Sequence, residues 1–348
     1  MTIIYYVYPI WHRTSFSIIA REHIKQLKKY FKVYEIDELV LPTITPYIKP
    51  LLILHPYFYM AVKYAKRFER LLSRSEGIIG VDVADSDRLT VQAVNMTHYT
   101  EAMIVPSSFA RDVYIKSGVR RPVYVVPHGL DDTYFTRKGS VSFFNHVWNM
   151  KRNRKLILLL FFCWHSDYRK GLDLVLKVYR KLRKIRKDIV LIIKTMGKNT
   201  RLEKLLKLYN GLLIWGWLTE NQKIELYDIC DIYLGFSRGG GFELNYLEAL
   251  ARGEVVVAPN KGSWVDYLPE FSLVECHNCP YVLKNNPIHC GRGFEIDIDS
   301  AVKKILDIAD NLSEYKSRVR EYVESRVKKE YTWKSVGLKL KSILEKYI

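Results

Sequence analysis

Short apolar runs alternate along this chain with segments whose apolar positions recur every three or four residues. "TIIYYVY" leads to "SFSIIAREHIKQLKKYF" and then "KVYEID", and "AMIVPSS" leads to "FARDVYIKSG", closed by Gly118, and then "PVYVVPHG". The second half repeats the scheme through "KLILLLFFCW", "GLDLVLKVYRKLRKI", "DIVLIIKTMG", "GLLIWGWL", "ENQKIELYDIC", "DIYLGFS" and "EVVVAP". Uninterrupted apolar strands between amphipathic helices predict parallel sheets covered on both faces, an α/β class. The tail, "AVKKILDIADNL" to "LKLKSILEKYI", predicts helix throughout. The stretch Arg137 to Arg154, "RKGSVSFFNHVWNMKRNR", has no period and is rich in polar and basic residues, so the domain boundary is expected there. With 348 residues the chain divides into residues 1–145, residues 146–325 and a C-terminal helix over 326–348 that packs back on the first domain.

Composition narrows the function. A formal charge of +18 calls for an anionic partner: nucleic acid, a membrane surface or a phosphorylated small molecule. No recognition helix, zinc-finger spacing or aromatic RNA-binding motif is present, so nucleic acid is not expected. The N-terminus "MTIIYYVYPIWHR" reads as a buried strand rather than a signal peptide. The most apolar stretch, "LVLPTITPYIKPLLILHPYFYMAV", is broken by four prolines and by Lys49, well short of a membrane span. Five cysteines without a secretion signal point to a cytoplasmic protein, and the abundance of Lys, Ile and Tyr points to a thermophilic source.

The candidate chemistry gathers in the second half. In "DIYLGFSRGGGFELNYLEALARG" a strand ends near Phe236, a helix starts near Phe242 or Glu243, and Gly253 stops it. Gly239, Gly240 and Gly241 would leave backbone N–H groups open to a ligand at the positive helix end. Leu244, Leu247 and Ala251 mark an inward stripe, and Glu248 lies on it, four residues after Leu244. A buried carboxylate needs a partner: either a Lys or Arg, or the two vicinal hydroxyls of a ribose. Arg169 and Lys170 stand at a predicted helix start, where the macrodipole disfavours cations unless an anion sits among them. Trp217 is a candidate for a nucleobase contact. Asp85, in "DSD", is a candidate catalytic carboxylate, and His12, Arg13 and Ser15 after the first strand are candidates to meet a second substrate or a phosphate. "ECHNCPYVLKNNPIHCG" holds Cys276, Cys279, His289 and Cys290, a spacing compatible with structural zinc, a disulfide or free thiols.

From about Gly77 onward the chain resembles glycosyltransferase family 4, retaining enzymes of the GT-B fold. The resemblance is carried by "VPSSFARDVYIKSGV", "VVPHGLDDTYF", "RKGLDLVLKVYRKL", "IWGWLTENQKIELYDICDIYLGFS", "GGFELNYLEALARGEVVVA" and "YTWKSVGLKLKSI" in that order. It implies two Rossmann-like domains with parallel sheets facing a central cleft. The first would take the acceptor (a glycan, a lipid-linked sugar or a protein) and the second a nucleoside-diphosphate sugar. It further implies that Glu248 holds the donor ribose and that Lys170, with Arg169 beside it, neutralises the diphosphate; these cations and the N–H groups of Gly239 to Gly241 would stabilise the leaving group without a metal cofactor. Phe242, Glu243 and Leu244 fall within the donor motif and, with His165, are candidate donor contacts. Two positions depart from the family pattern: its first motif glutamate falls on Gly240, and its usual arginine falls on His165. Glu243, five residues from Glu248, would face off the inward stripe and so would not replace the missing glutamate. These departures motivate two alternatives, a catalytically silent sugar-nucleotide-binding protein and, through the basic charge, a nucleic-acid-modifying glycosyltransferase. The basic and aromatic segments "IAREHIKQLKKYFKVY" and "YMAVKYAKRFERLLSR" read as helices that could rest on the inner face of an anionic membrane.

Overall fold

The computed structural model describes residues 3–12, 14–43, 48–136, 141–164 and 166–348, so Arg13 and His165 lie outside the described residues. The chain forms two compact units: Met1–Gly129 with Leu283–Arg292 and Glu330–Ile348, and Leu130–Val282 with Gly293–Lys329.

The first unit is built on β1 (Ile3–Tyr8), β2 (Lys32–Asp37), β3 (Leu51–Leu54), β4 (Gly77–Val81), β5 (Ala102–Val105) and β6 (Val123–Val125). Their order is β2-β1-β3-β4-β5-β6 and every pairing is parallel. The most apolar stretch supplies β3, "LLIL", a fully buried strand bracketed by Pro50 and Pro56. The last helix, Trp333–Leu344, packs against the Ser15–Leu27 helix. The two approach so closely that a Cβ on Gly337 would stand 2.6 Å from Gln26 Cβ.

The second unit holds β7 (Ile157–Cys163), β8 (Ile189–Thr195), β9 (Leu212–Trp215), β10 (Ile232–Leu234), β11 (Val255–Pro259) and β12 (Leu273–Val274), in the order β12-β11-β10-β7-β8-β9, again all parallel. A separate antiparallel ribbon pairs β13 (Cys276–Cys279) with β14 (Gly293–Ile296). From β7 the chain winds outward through β8 to β9, and from β10 it winds the other way through β11 to β12. The order therefore reverses between β7 and β10. In open parallel sheets a ligand binds beyond the carboxyl ends of the strands at such a reversal.

Three expectations change. Within the stretch read as an unstructured boundary, Asn145–Arg154 is a helix. It buries none of its own residues and is held through Lys151, which donates to Asp231 Oδ1 and Ile229 O, both at 2.8 Å, so it left no apolar period to read. The tail is not one continuous helix: helices Ile298–Asp310 and Leu312–Tyr322 and a π turn over Val323–Val327 precede a fresh start at Trp333, capped by Thr332. The segment "IAREHIKQLKKYFKVY" is helical only to Leu27, because Lys32 onward enters β2. No helix among the described residues is long and apolar enough to cross a membrane.

Candidate functional site

Two loops meet at the reversal of the second sheet. After β7 the chain forms a single helical turn, Asp167–Lys170, ends it on Gly171 at φ 78°, and starts the longer Leu172–Ile185 helix. After β10 it runs through Phe236 and Arg238 to the three glycines and Glu243. The loops are joined backbone to backbone, with Arg238 N–H donating to Arg169 O at 2.7 Å. A Cβ on Gly171 would lie 2.1 Å from Phe236 O, so only glycine permits this approach.

Arg238 fastens the second loop from below. Only 2% exposed, it donates twice to Asp173, at 2.8 and 2.9 Å, and once to Glu295 at 2.5 Å, with its guanidinium 3.9 Å from the Tyr168 ring centre. Buried charges persist only when so paired. Sequence reasoning passed over Arg238; a lone arginine between a buried strand and a glycine run was the available signal.

Arg169 and Lys170 do not sit at the start of the long helix. They occupy the last positions of the single turn before Gly171, so the argument from an unfavourable macrodipole drops away. What they meet is Glu243. Lys170 Nζ lies 2.5 Å from Glu243 Oε2, and Arg169 Nη1 lies 3.4 Å from Oε1 and 3.1 Å from Gly239 O.

Glu243 itself corrects the helical argument that set it aside. The helix is Leu244–Ala251, and Glu243 is the residue before it, in the left-handed region at φ 62°. Helical geometry does not apply to it, and its carboxylate turns back over the loop. A Cβ on Gly240 would stand 2.3 Å from Glu243 Oε1, so the side-chain space of position 240 is filled by the carboxylate of 243. The backbone there is fixed: the Tyr267 hydroxyl lies 2.6 Å from Phe242 O and 2.9 Å from Glu243 O, and Ser263 Oγ donates to Gly240 O at 2.7 Å. Gly239, Gly240 and Gly241 are buried and none takes a positive φ, contrary to the expectation of an open amide cradle. Phe242 is buried with its ring against Tyr267, and Leu244, the first helical residue, is half-buried.

Glu248 is 3% exposed, as the inward stripe required. The helix is buried nearly all round, however, with Tyr246, Leu247, Ala249 and Leu250 also inside. Glu248 Oε1 accepts from Lys223 Nζ and Oε2 from the Tyr227 hydroxyl, each at 2.8 Å. The cation alternative is thus realised. Burial pulls the Lys223 ammonium down, but Glu248 and Glu220 more than offset it, so its pKa lies above the ordinary value. Lys194, at the end of β8, is held below its usual range by burial and by the nearby charge of Lys223. Neither lysine was singled out in the sequence, because each lies in an otherwise ordinary strand or helix.

Beside these groups, a cavity of about 360 Å³ is lined by Cys163, Trp164, Asp167, Thr195, Lys198 and Asn199, among others. At its edge Trp164 packs edge-on against Trp217, with ring centres 6.2 Å apart, and both rings are about half exposed.

The remaining candidates lie elsewhere. Asp85 is in the first unit, half-buried after β4, with its N–H 3.4 Å from His289 Nδ1. Its neighbour Asp82 is the perturbed group. Fully enclosed and accepting from Phe58 N at 2.7 Å and Val83 N at 2.8 Å, it is pushed by burial up to about 7. His12 and Ser15 are exposed after β1, Ser15 as the first residue of the Ser15–Leu27 helix. The four candidate zinc ligands do not form one group. Cys276 and Cys279 are three apart on β13, which puts them on opposite faces of the ribbon, while His289 and Cys290 belong to the first unit. Among the described residues no three His, Cys, Asp or Glu side chains are grouped to hold a metal, and all five cysteines are free thiols.

Comparison with known proteins agrees with this geometry. The model of the group 1 glycosyl transferases matches residues 157–271, the stretch that carries both loops. Over 99% of its length the chain is 33% identical to an uncharacterized protein of Sulfolobus islandicus rod-shaped virus 1, 98% of which is covered. Over residues 157–271 the chain carries the pattern of the group 1 glycosyl transferases. A candidate glycosyltransferase of Sulfolobus islandicus filamentous virus is 25% identical over 78% of this chain and 74% of its own. The crystal structure of Anabaena HepE in complex with UDP and glucose superposes with a TM-score of 0.72 at 12% identity, covering 99% of this chain and all of HepE. The fold is GT-B, two Rossmann-like α/β units.

Proposed function

We propose that the second unit binds a nucleoside-diphosphate sugar and that the protein transfers the sugar, with its anomeric configuration retained, to an acceptor taken by the first unit. The observation that carries this reading is the pair of partly buried cations, Arg169 and Lys170, set beyond the strand ends where the sheet order reverses. A leaving nucleoside diphosphate develops negative charge, and fixed cations aimed at that charge supply the largest common catalytic contribution. Lys170 and Arg169 fill that role from the protein itself, so a metal-independent reaction is expected. Glu248 would receive the ribose hydroxyls while keeping Lys223, since a carboxylate accepts more than two hydrogen bonds. The exposed Trp164–Trp217 pair would bound the nucleobase.

The acceptor reading rests on the surface of the first unit. Trp11, Leu39, Ile48, Tyr59 and Val62 are exposed there on a chain of net charge +18. Apolar and aromatic side chains with surrounding lysines suit an anionic membrane surface and a lipid-linked or membrane-borne acceptor.

The test is a thermal-shift panel of uridine, guanosine and adenosine diphosphate sugars, with and without chelator. The HepE complex puts the uridine compounds first. A ligand at 100 times its dissociation constant should add about 2.7 kcal/mol of stability. Stabilisation by one base class, unaffected by chelator, supports the reading; no response to any donor overturns it.

A further inference from the structure

Building on the proposed donor site, we propose that Glu243 is a built-in counter-anion that makes the site favour a sugar-bearing donor over the bare nucleoside diphosphate. Its carboxylate stands where an incoming anion would have to stand, 2.5 Å from Lys170 Nζ and 3.4 Å from Arg169 Nη1. All three side chains are largely buried, so water screens them little. Two features show that this position is built in. Glu243 holds a left-handed backbone that favours glycine, locked by the Tyr267 hydroxyl on the carbonyls of Phe242 and Glu243. Gly240 leaves open the space the carboxylate occupies, since any Cβ there would collide with Oε1.

The consequence follows from charge. Two cations facing a carboxylate present a net charge of one, not two, to a diphosphate, and the carboxylate repels the phosphate oxygens beside it. A bare nucleoside diphosphate meets that repulsion uncompensated. A donor carrying a sugar brings hydroxyl donors, which can bond the Glu243 oxygens as the cations turn to the diphosphate. Glu243 is therefore a positioning residue whose effect is read in the ratio of two affinities. It disfavours retention of the product after transfer.

The experiment is calorimetric titration of UDP and UDP-glucose, or the base found by the panel, into the wild type, Glu243→Gln and Gly240→Ala. Glu243→Gln keeps the size and removes the charge. Gly240→Ala keeps the charge and pushes the carboxylate off the cations. Each variant should bind the nucleoside diphosphate about tenfold tighter and the sugar nucleotide with less gain or none, so the preference for the sugar nucleotide falls. Folding of both is checked by circular dichroism, and either one that folds suffices. If the wild type binds both ligands and neither variant binds the nucleoside diphosphate more tightly, the counter-anion role is wrong while the donor site stands. If the wild type binds neither ligand, the donor reading falls first and this role with it.

Discussion

Gly171→Ala should be among the most damaging small substitutions in the second unit. Gly171 holds φ 78°, where an alanine costs about 1–2 kcal/mol. The new methyl would also stand 2.1 Å from Phe236 O and 2.9 Å from Phe236 C, and both are backbone atoms that cannot swing aside. Forcing such a contact apart adds roughly 1–3 kcal/mol by the usual cost of overpacking. Together these give about 2–5 kcal/mol, which for a unit of this size lowers the melting temperature by roughly 5–15 °C. The damage should reach the site, because the Arg238 N–H to Arg169 O bond spans the same contact. The assay is thermal unfolding followed by circular dichroism, with Gly197→Ala as control: a Cβ there meets nothing within 4 Å. The control should stay within about 0.5 kcal/mol of the wild type. A Gly171→Ala protein melting within about 2 °C of the wild type would refute the close approach of the two loops.

Two further outcomes follow from the buried carboxylates. Glu248→Gln should weaken nucleoside diphosphate binding by about tenfold or more and also destabilise the fold, since it strands Lys223 beside Glu220 alone. Adding Lys223→Met should recover the stability but not the affinity, and recovery of both would make Glu248 purely structural. Asp82, with a folded pKa of about 7 against an ordinary 3.8, contributes stability that is fully present below pH 3.8 and is lost as pH rises through 7. This amounts to roughly 4 kcal/mol. In urea unfolding at pH 5 and pH 8, Asp82→Asn should gain on the wild type between the two values, and a gap independent of pH would contradict the assignment.

The strands and most helices of this protein were legible because most of the parallel strands are apolar runs and helices such as Ser108–Ser117, Glu220–Ile229 and Trp333–Leu344 start on side-chain caps. β3 was hidden inside a proline-rich stretch that looked like a broken membrane segment, although four buried residues between prolines suit a short central strand. Helix Asn145–Arg154 was hidden because polar contacts hold it. At the site, Glu248, Arg169 and Lys170 stood out because charge interrupts an apolar or helical pattern there. Glu243 was misjudged because its position hangs on a single backbone torsion: read as helical it faces away, and at φ 62° it covers Gly240 and meets both cations. The partners of Glu248 were beyond reach, since Lys223 and Tyr227 lie more than 20 positions away and only the sheet brings them in.

The central claim is that Lys170 and Arg169 form the anion site of a sugar-nucleotide-binding unit. The most direct measurement is calorimetric titration of UDP, or of the diphosphate of the base found by the panel, into the wild type and Lys170→Ala, both verified as folded. One charge-assisted contact contributes about 1.5–3 kcal/mol, so saturable binding to the wild type should weaken roughly 10- to 100-fold in Lys170→Ala. Equal affinity in the two proteins, or no binding to the wild type, would contradict it.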